Sequence, residues 1–302
     1  MLRIRIHGRG GQGIKTASQI LGTAAHLAGY QAQDFPLYGA ERRGAPLAAY
    51  TRISKNVVLE RGPITHPDIL LVGDETLLSD PMAAVTQGTN ASTLIFINSR
   101  HTSRDLKQHY QLESLPVQLD VSDLCQKYIQ KPMVLSTALA TVGARLMGHI
   151  DLHHLLRAIR EELGQGRLGP DKISANLKLA EVAFQKAPSF DLEFGESDVK
   201  FSASQLVTLE RRPPAESAPL IFATGNMALR KTGNWRTHRP VIDYEECNGC
   251  AICYARCPEG GIRMDANDKP VIDYDHCKGC LICATECPKH AIEIVREVES
   301  WK

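Results

Sequence analysis

The chain has 302 residues, a formal net charge of +1 and nine cysteines. This length predicts two domains, or one domain with an appendage. The small net charge argues against nucleic acid or an anionic membrane as partner, and no apolar run reaches the roughly 20 residues that span a bilayer. Eight of the cysteines fall in two clustered runs, which argues against a disulfide framework. We therefore expect a reducing, cytoplasmic location.

The chain begins with a strand, a glycine loop and a helix. Residues 2–7 alternate apolar and charged side chains, which predicts a short strand. Apolar residues then recur at helical spacing from residue 14 to residue 28, and Gly29 is placed to end that helix. Between strand and helix lies a loop formed by Gly8, Arg9, Gly10, Gly11, Gln12 and Gly13. Free amides and the positive end of the helix dipole would point at this loop, so it is a candidate site for a phosphate-bearing ligand or a partner contact.

Two other interpretations of the glycine loop stay open. Gly8, Gly10 and Gly13 fit the spacing of a dinucleotide-binding fingerprint, and Asp34 lies near the position where a ribose-binding acid is expected. The segment around Asp34 is weakly apolar and ends at Pro36, so a buried second strand is doubtful there. The loop is otherwise interpreted as a purely structural tight turn.

A second polar segment follows at residues 35–46. It carries Tyr38, Arg42 and Arg43 between glycines and prolines, and this composition predicts a loop. Paired guanidinium groups suit the recognition of carboxylate or phosphate through their planar forks. The alternative is a solvated charged turn without a ligand.

The rest of the first part alternates strands with helices. Four strands are predicted, at residues 47–53, 68–73, 92–98 and 116–121. Three helical stretches follow, at residues 131–150, 151–164 and 170–187, with Asp151 and Pro170 as plausible starts. This order predicts a three-layer, Rossmann-like α/β domain over residues 1–187.

One pattern within this domain resembles a thiamine diphosphate signature. Gly73 and Asp74 are followed about twenty-five residues later by Asn98, but Glu75 replaces the second glycine and Ser99 the second asparagine. A glutamate there would place another negative charge beside the metal and the diphosphate. We therefore expect no thiamine site on this chain.

The periodicity is lost after residue 187. Residues 188–224 are mixed polar and contain several prolines, so they predict a connector, either a solvated tether or a segment laid along a partner. The motif TGNWRTHRP at residues 232–240 then leads into the last part. Its Trp235, Arg236 and Arg239 are interpreted either as packing on the following domain or as docking to a partner.

The last part, residues 225–302, contains an internal duplication. CNGCAICYARCP at residues 247–258 recurs thirty residues later as CKGCLICATECP. The spacing C-x2-C-x2-C-x3-C-P is that of two-cluster bacterial ferredoxins, in which the fourth cysteine ligates the other cluster. One 4Fe-4S cluster would then take Cys247, Cys250, Cys253 and Cys287, and the other Cys277, Cys280, Cys283 and Cys257. Two matched runs, each closed by proline, favour clusters over paired zinc sites.

The motifs GRGGQG, YGAERRGAP and TGNWRTHRP, followed by the two cysteine runs, together resemble a known family. The chain resembles a fused gamma and delta subunit of a 2-oxoacid:ferredoxin oxidoreductase, the group that includes pyruvate:ferredoxin oxidoreductase. The resemblance covers residues 1–187 as the gamma part and about 225–302 as the delta part. It implies an enzyme subunit of anaerobic metabolism, with a bacterial-type two-cluster ferredoxin domain (α+β) after the connector.

The resemblance also implies a reaction and partners. The family converts a 2-oxoacid and coenzyme A into acyl-CoA, carbon dioxide and two electrons, with thiamine diphosphate and magnesium on alpha and beta subunits. On this chain it implies an electron relay through the eight clustered cysteines towards ferredoxin or flavodoxin, and no catalytic residue. It also implies that coenzyme A lies near the glycine loop and near Tyr38, Arg42 and Arg43. The 2-oxoacid stays open among pyruvate, oxalate, 2-oxoglutarate, branched-chain and aromatic substrates. The alternative is a stand-alone iron-sulfur electron-transfer protein whose α/β domain binds flavin or NAD.

Overall fold

The computed structural model describes residues 1–36, 44–81, 83–165, 168–195 and 231–297. These residues form an α/β domain and a smaller domain that carries both cysteine runs. Among the described helices, none combines the length and the apolar character that crossing a membrane requires.

The α/β domain is built on a six-stranded sheet in the order β2-β3-β1-β4-β5-β6. The strands are β1 (Leu2–Arg9), β2 (Gln31–Pro36), β3 (Pro46–Ser54), β4 (Ile69–Val72), β5 (Leu94–Asn98) and β6 (Val117–Leu119). Strands β1, β4, β5 and β6 run parallel, whereas β2 and β3 form an antiparallel hairpin at one edge. All five strands predicted from alternation and apolar runs are present.

Strand β2 explains why a buried second strand was doubtful. Within the described sheet it is an edge strand that pairs with β3, and most of its residues are half exposed. Asp34 lies against Gly22 of the first helix, and burial raises the pKa of its carboxyl, an effect that Glu162 reinforces. A ribose-binding acid would instead end a parallel strand beside the glycine loop. The geometry therefore gives no support to the dinucleotide-binding interpretation.

Helices cover both faces of the sheet, as the three-layer prediction requires. They are α1 (Ile14–Leu27), α2 (Ser103–Tyr110), α3 (Val121–Ile129), α4 (Ser136–Met147), α5 (Leu152–Gln165) and α6 (Pro170–Lys186). Helix α1 and helices α3 to α6 share one core, and α2 with the short 3-10 helix Glu75–Ser79 closes a second core on the opposite face. Alternate residues of β4 point into the two cores, with Leu71 in the first and Leu70 in the second.

The chain stays on this domain beyond residue 187. The amide of Phe190 donates to the carbonyl of Leu146 at 3.2 Å, and the ring of Phe194 stacks on Tyr30 and His149 at centroid distances of 5.3 and 4.6 Å. These contacts hold the first eight residues of the predicted connector, 188–195, against the α/β domain, although most of these residues are exposed. Residues 196–224 lie outside the described residues, and the domain limits at 187 and 225 stay predictions.

The smaller domain repeats one unit twice. Its elements are β7 (His238–Ile242), α7 (Ile252–Ala255), β8 (Ile262–Met264), β9 (Pro270–Ile272), α8 (Ile282–Thr285) and β10 (Ile292–Arg296). Strand β7 pairs with β10, and β8 with β9, both antiparallel. The hydroxyl of Tyr244 donates to the carbonyl of Pro270 at 3.0 Å, and that of Tyr274 donates to Pro240 at 2.8 Å. These reciprocal bonds show that the sequence duplication is also a structural one.

Candidate functional site

One cavity in the smaller domain is lined by four cysteines. Apolar residues including Ile242, Ile252 and Ile292 form its wall. The four cysteines are Cys247, Cys250, Cys253 and Cys287. The last of them belongs to the second run, so the structure brings together the set that the spacing predicted for one cluster.

The second set is brought together in the same crossed manner. Burial raises the pKa of the Cys277 thiol; the Gly279 amide and Arg236 oppose this shift, and neighbouring Cys257 and Cys280 add to it. Burial likewise raises the pKa of Cys283 to about 12, and the charges of Cys277 and Cys280 add to the shift. Cys257, from the first run, therefore lies beside the thiols of the second.

The backbone at the two sites has the same unusual conformation. Gly249 and Gly279 have φ angles of 72° and 66°, and Ala251 and Leu281 follow at 58° and 62°. A Cβ on Gly279 would lie 2.4 Å from the carbonyl oxygen of His238, so only glycine fits there. Left-handed non-glycine residues cost energy and concentrate at binding sites. Their recurrence at equal offsets indicates that both runs are shaped for the same group.

Among the described residues, the cysteines of each set are spread apart and do not converge on a single point. Within the parts of the chain that the structure describes, no three His, Cys, Asp or Glu side chains are grouped so that they could hold one metal ion. A structural zinc site needs four ligands around a single point. Thiols spread around a cavity instead fit a larger group such as a 4Fe-4S cluster, which agrees with the crossed spacing.

The glycine loop is held from inside the α/β domain. The guanidinium of Arg9 is 1% exposed; its Nε donates to Asp74 Oδ2 at 3.0 Å and its Nη2 to Thr76 Oγ1 at 2.6 Å. The amide of Arg9 donates to Gln12 Oε1 at 2.8 Å, and Gln12 is buried as well. These two predicted ligand-binding side chains therefore stabilise the loop and point away from solvent.

The glycines of the loop divide into packed and accessible ones. Gly8 is buried, where an added Cβ would meet Ile14 at 2.3 Å, and at Gly13 it would meet Ser136 at 2.9 Å. Gly11 is exposed and Gly10 half-buried. The amide of Gly10 donates to Ala45 at 2.9 Å and its carbonyl accepts from Gly44 at 3.0 Å. Tyr38, Arg42 and Arg43 lie outside the described residues.

The accessible part of the loop faces the second cysteine run. Gly10 and Gly11 line a cavity together with Trp235, Lys278 and Cys280. The TGNWRTHRP motif lies between the two domains, where Asn234 Nδ2 donates to Asp80 Oδ2 at 2.9 Å. One interpretation of this motif was packing on the following domain and the other was docking to a partner. The described contacts are with the chain's own two domains.

The residues of the thiamine-like pattern meet at the carboxyl ends of β4 and β5. Asn98 Nδ2 donates to the carbonyl of Gly73 at 2.9 Å, and its Oδ1 accepts from the amide of Val121 at 2.9 Å. Asp74 is bound to Arg9, and Ser99 donates to Glu75 at 2.7 Å. These side chains are thus occupied by contacts within the fold.

Glu75 was not singled out as a site residue by the sequence. It is 2% exposed, and it lines a pocket that is also lined by His238 and Arg296 of the smaller domain. Burial raises the pKa of its carboxyl to about 7, against the opposing effects of Ser99 and Arg296. The sequence signal was an acid three residues after the apolar run that forms β4.

Glu75 predicts that the stability of the α/β domain depends on pH. Its folded pKa of about 7 lies above the ordinary 4.5, so its stabilising contribution is complete below about pH 4.5 and is lost as the pH rises through 7. We expect Glu75→Gln to be more stable than the wild type by about 2 to 3 kcal/mol near pH 8, with the advantage shrinking towards pH 5. Urea unfolding across this pH range measures the difference.

The matched control is Glu161→Gln on the exposed face of α5, where Glu161 is 46% exposed. This substitution should show no comparable trend with pH. A difference between Glu75→Gln and wild type that is constant from pH 5 to pH 8 would contradict the prediction.

Comparisons with known proteins agree with both parts of the chain. A family model described as pyruvate ferredoxin/flavodoxin oxidoreductase matches residues 3–186, and one described as a 4Fe-4S dicluster domain matches residues 239–288. The chain is 33% identical over 195 residues to the pyruvate/ketoisovalerate oxidoreductases common subunit gamma of Thermococcus litoralis, covering 64% of this chain and 100% of that one.

One further relative and one solved structure are also similar to this chain. The pyruvate synthase subunit PorC of Methanocaldococcus jannaschii is 36% identical over 187 residues, covering 62% of this chain and 97% of that protein. The crystal structure of pyruvate oxidoreductase subunit PORC from Thermotoga maritima superposes with a TM-score of 0.52 at 29% identity, covering 61% of this chain and 95% of that one.

Proposed function

Because this chain belongs to the pyruvate ferredoxin/flavodoxin oxidoreductase family, we propose that it carries electrons out of a 2-oxoacid:ferredoxin oxidoreductase. The predicted family is confirmed, as is the predicted fold class of an α/β domain followed by a 4Fe-4S dicluster domain. The observation that carries the proposal is the cavity shared by Cys247, Cys250, Cys253 and the crossing Cys287. A candidate site for electron transfer and a gamma-type domain therefore lie in one polypeptide.

The chain's own residues would bind and shield the two clusters. Each 4Fe-4S cluster, when bound, takes up and passes on one electron at a time. Cys253 and Cys283 are buried, and Ile262 and Ile292 pack beside them, which keeps water from the inner sides of both sites. Cys250 is exposed, so the first site reaches the protein surface. This end of the domain would face the acceptor, a ferredoxin or flavodoxin.

The decarboxylation would take place on other subunits. Alpha and beta subunits would hold thiamine diphosphate and magnesium, while coenzyme A is the acyl acceptor and acyl-CoA, carbon dioxide and two electrons are the products. On this chain Asp74, Asn98 and Glu75 are engaged by Arg9, Val121 and Ser99 respectively. They are therefore not free to bind a magnesium diphosphate. The names of the relatives point to pyruvate or ketoisovalerate as the first substrates to test.

Coenzyme A would contact this chain at the accessible part of the glycine loop and the arginine pair. Gly10 and Gly11 expose backbone there, and Gly10 is bonded to Gly44, which directly follows Arg42 and Arg43 in the chain. The arginines would supply positive charge for the phosphates of the cofactor.

The chain would work in the reducing interior of the cell, which suits a protein with this many thiols.

The test is anaerobic reconstitution of the chain with its alpha and beta subunits. The assembled complex should oxidise a 2-oxoacid in the presence of coenzyme A and reduce ferredoxin, whereas the isolated chain should do neither. Arg42→Ala and Arg43→Ala should each raise the KM for coenzyme A, while Arg160→Ala on the exposed face of α5 should not. Oxidation of a 2-oxoacid by the isolated chain, or a complex that is fully active without it, would disprove the proposal.

A further inference from the structure

The two halves of the smaller domain are alike in backbone but differ in the charges around them. Tyr244 and Tyr274 occupy equivalent positions, three residues before Cys247 and Cys277, and each bonds a proline carbonyl of the other half. Tyr244 is nevertheless 50% exposed. The ring of Tyr274 instead lies under two guanidinium groups, with Arg236 at 5.3 Å and Arg239 at 5.8 Å from its centre.

Arg236 touches the second cysteine run directly. Its side chain is only 9% exposed, and its Nη1 donates to the carbonyl of Cys277 at 2.9 Å and to that of Tyr274. The same segment holds the run at two further points. Thr232 Oγ1 donates to the carbonyl of His276 at 2.6 Å, and the amide of Gly233 donates to the carbonyl of Asp275 at 2.8 Å. The TGNWR segment therefore binds the backbone of the residues that directly precede Cys277.

The counter-charge of Arg236 lies on the opposite side of the guanidinium. Its Nε and Nη2 donate to the two carboxylate oxygens of Glu297 at 3.0 and 2.9 Å. In the planar fork, the Nε and Nη2 edge faces away from Nη1. The positive side of this ion pair is therefore turned towards Cys277 and the negative side away from it.

The first run has no equivalent of this buried pair among the described contacts. The carbonyl of Cys247, which corresponds to Cys277, accepts from Lys269 Nζ at 2.5 Å. Lys269 is half-buried, and its flexible ammonium keeps part of its hydration. A buried guanidinium is screened less by water, so it acts more strongly on a nearby change of charge.

We propose that Arg236 is a positioning residue that raises the reduction potential of the cluster at Cys277, Cys280, Cys283 and Cys257 above that of the other. The inference rests on the proposed function, since it requires both clusters to be bound. Reduction adds one negative charge to a cluster, and a fixed positive charge nearby stabilises that state. The more easily reduced cluster is then the one beside the glycine loop, whose Gly10 and Gly11 share a cavity with Cys280.

The test is a potentiometric titration of the anaerobically reconstituted full chain, followed by electron paramagnetic resonance. Cys250→Ser and Cys280→Ser, one ligand from each set, assign the two midpoint potentials. In the wild type the midpoint altered by Cys280→Ser should be the higher one. Arg236→Gln should lower it so that the ratio of reduced to oxidised cluster at a fixed potential falls at least tenfold, which equals about 59 mV for a one-electron couple.

Three further variants separate an effect of charge from an effect of packing. Arg236→Lys should keep the midpoint potential of this cluster close to that of the wild type, because the positive charge remains. Glu297→Gln should raise this midpoint, opposite to Arg236→Gln, because the substitution removes the counter-charge. Lys269→Gln should lower only the other midpoint. Equal shifts of both midpoints in Arg236→Gln, no shift at all, or a Glu297→Gln shift in the same direction as Arg236→Gln would overturn the proposal.

The titration also separates this inference from the proposed function. If the reconstituted wild-type chain shows no pair of 4Fe-4S signals, the proposed electron relay fails. If it shows both signals and Arg236→Gln leaves their midpoints unchanged, only the role of Arg236 fails. Should Arg236→Gln fail to bind a cluster, the Glu297→Gln and Arg236→Lys titrations still decide the matter.

Discussion

Replacing Cys287 with serine is expected to impair the cluster bound by the first cysteine run and to abolish reduction of the acceptor. Cys287 lies in the second run, yet it lines the same cavity as Cys247, Cys250 and Cys253. Loss of one thiolate from a four-cysteine set leaves an iron without its normal ligand. Iron should fall from about eight towards about four per chain after reconstitution, because each 4Fe-4S cluster holds four.

The decisive comparison is between the two crossing cysteines. Cys257→Ser should alter the same resonance signal as Cys277→Ser, whereas Cys287→Ser should alter the same signal as Cys247→Ser. Cys125→Ala is the matched control, because Cys125 is the ninth cysteine and is buried in the core of the α/β domain. It should retain full iron content and acceptor reduction. If Cys287→Ser disturbed the signal of its own run, the crossed ligation would be wrong.

The cysteine sets could be predicted from the sequence because their geometry is mostly local. The spacing of three ligands fixes which thiols surround one group, and the repeat shows the same solution twice. The strands and helices were also predictable, since apolar alternation and helical periodicity reflect burial on one or two faces. Even the doubt about residues 31–36 had a physical cause, because β2 is a half-exposed edge strand.

The contacts that hold the loop and the domains together were not predictable in this way. Arg9 and Asp74 are 65 residues apart, and neither has a spacing or a motif that points to the other. Arg236 and Cys277 are similarly separated by 41 residues. Residues 188–195 were assigned to a connector because they lack periodicity, but the ring of Phe194 packs on Tyr30 and His149. Such pairings depend on the tertiary fold and leave no local pattern in the sequence.

Asp74→Ala is expected to destabilise the α/β domain by about 3 to 5 kcal/mol. Its carboxylate is 7% exposed and accepts from Arg9, which is 1% exposed, at 3.0 Å. It also accepts from the amide of Thr76 at 3.0 Å, where it caps the short 3-10 helix. Removal of the acid would leave the guanidinium of Arg9 buried without a counter-charge, which costs far more than the loss of one hydrogen bond. Urea unfolding of the full chain at neutral pH measures the change.

Two variants show whether the cost comes from the buried charge. Glu181→Ala breaks an exposed pair in which Lys178 is 63% and Glu181 38% exposed, and it should cost no more than about 0.5 kcal/mol. Adding Arg9→Met to Asp74→Ala should recover part of the lost stability, because the unpaired charge is then absent. If Asp74→Ala cost no more than Glu181→Ala, the ion pair would not be what holds the glycine loop. If the double variant were less stable than Asp74→Ala by the full cost of Arg9→Met alone, the two side chains would act independently.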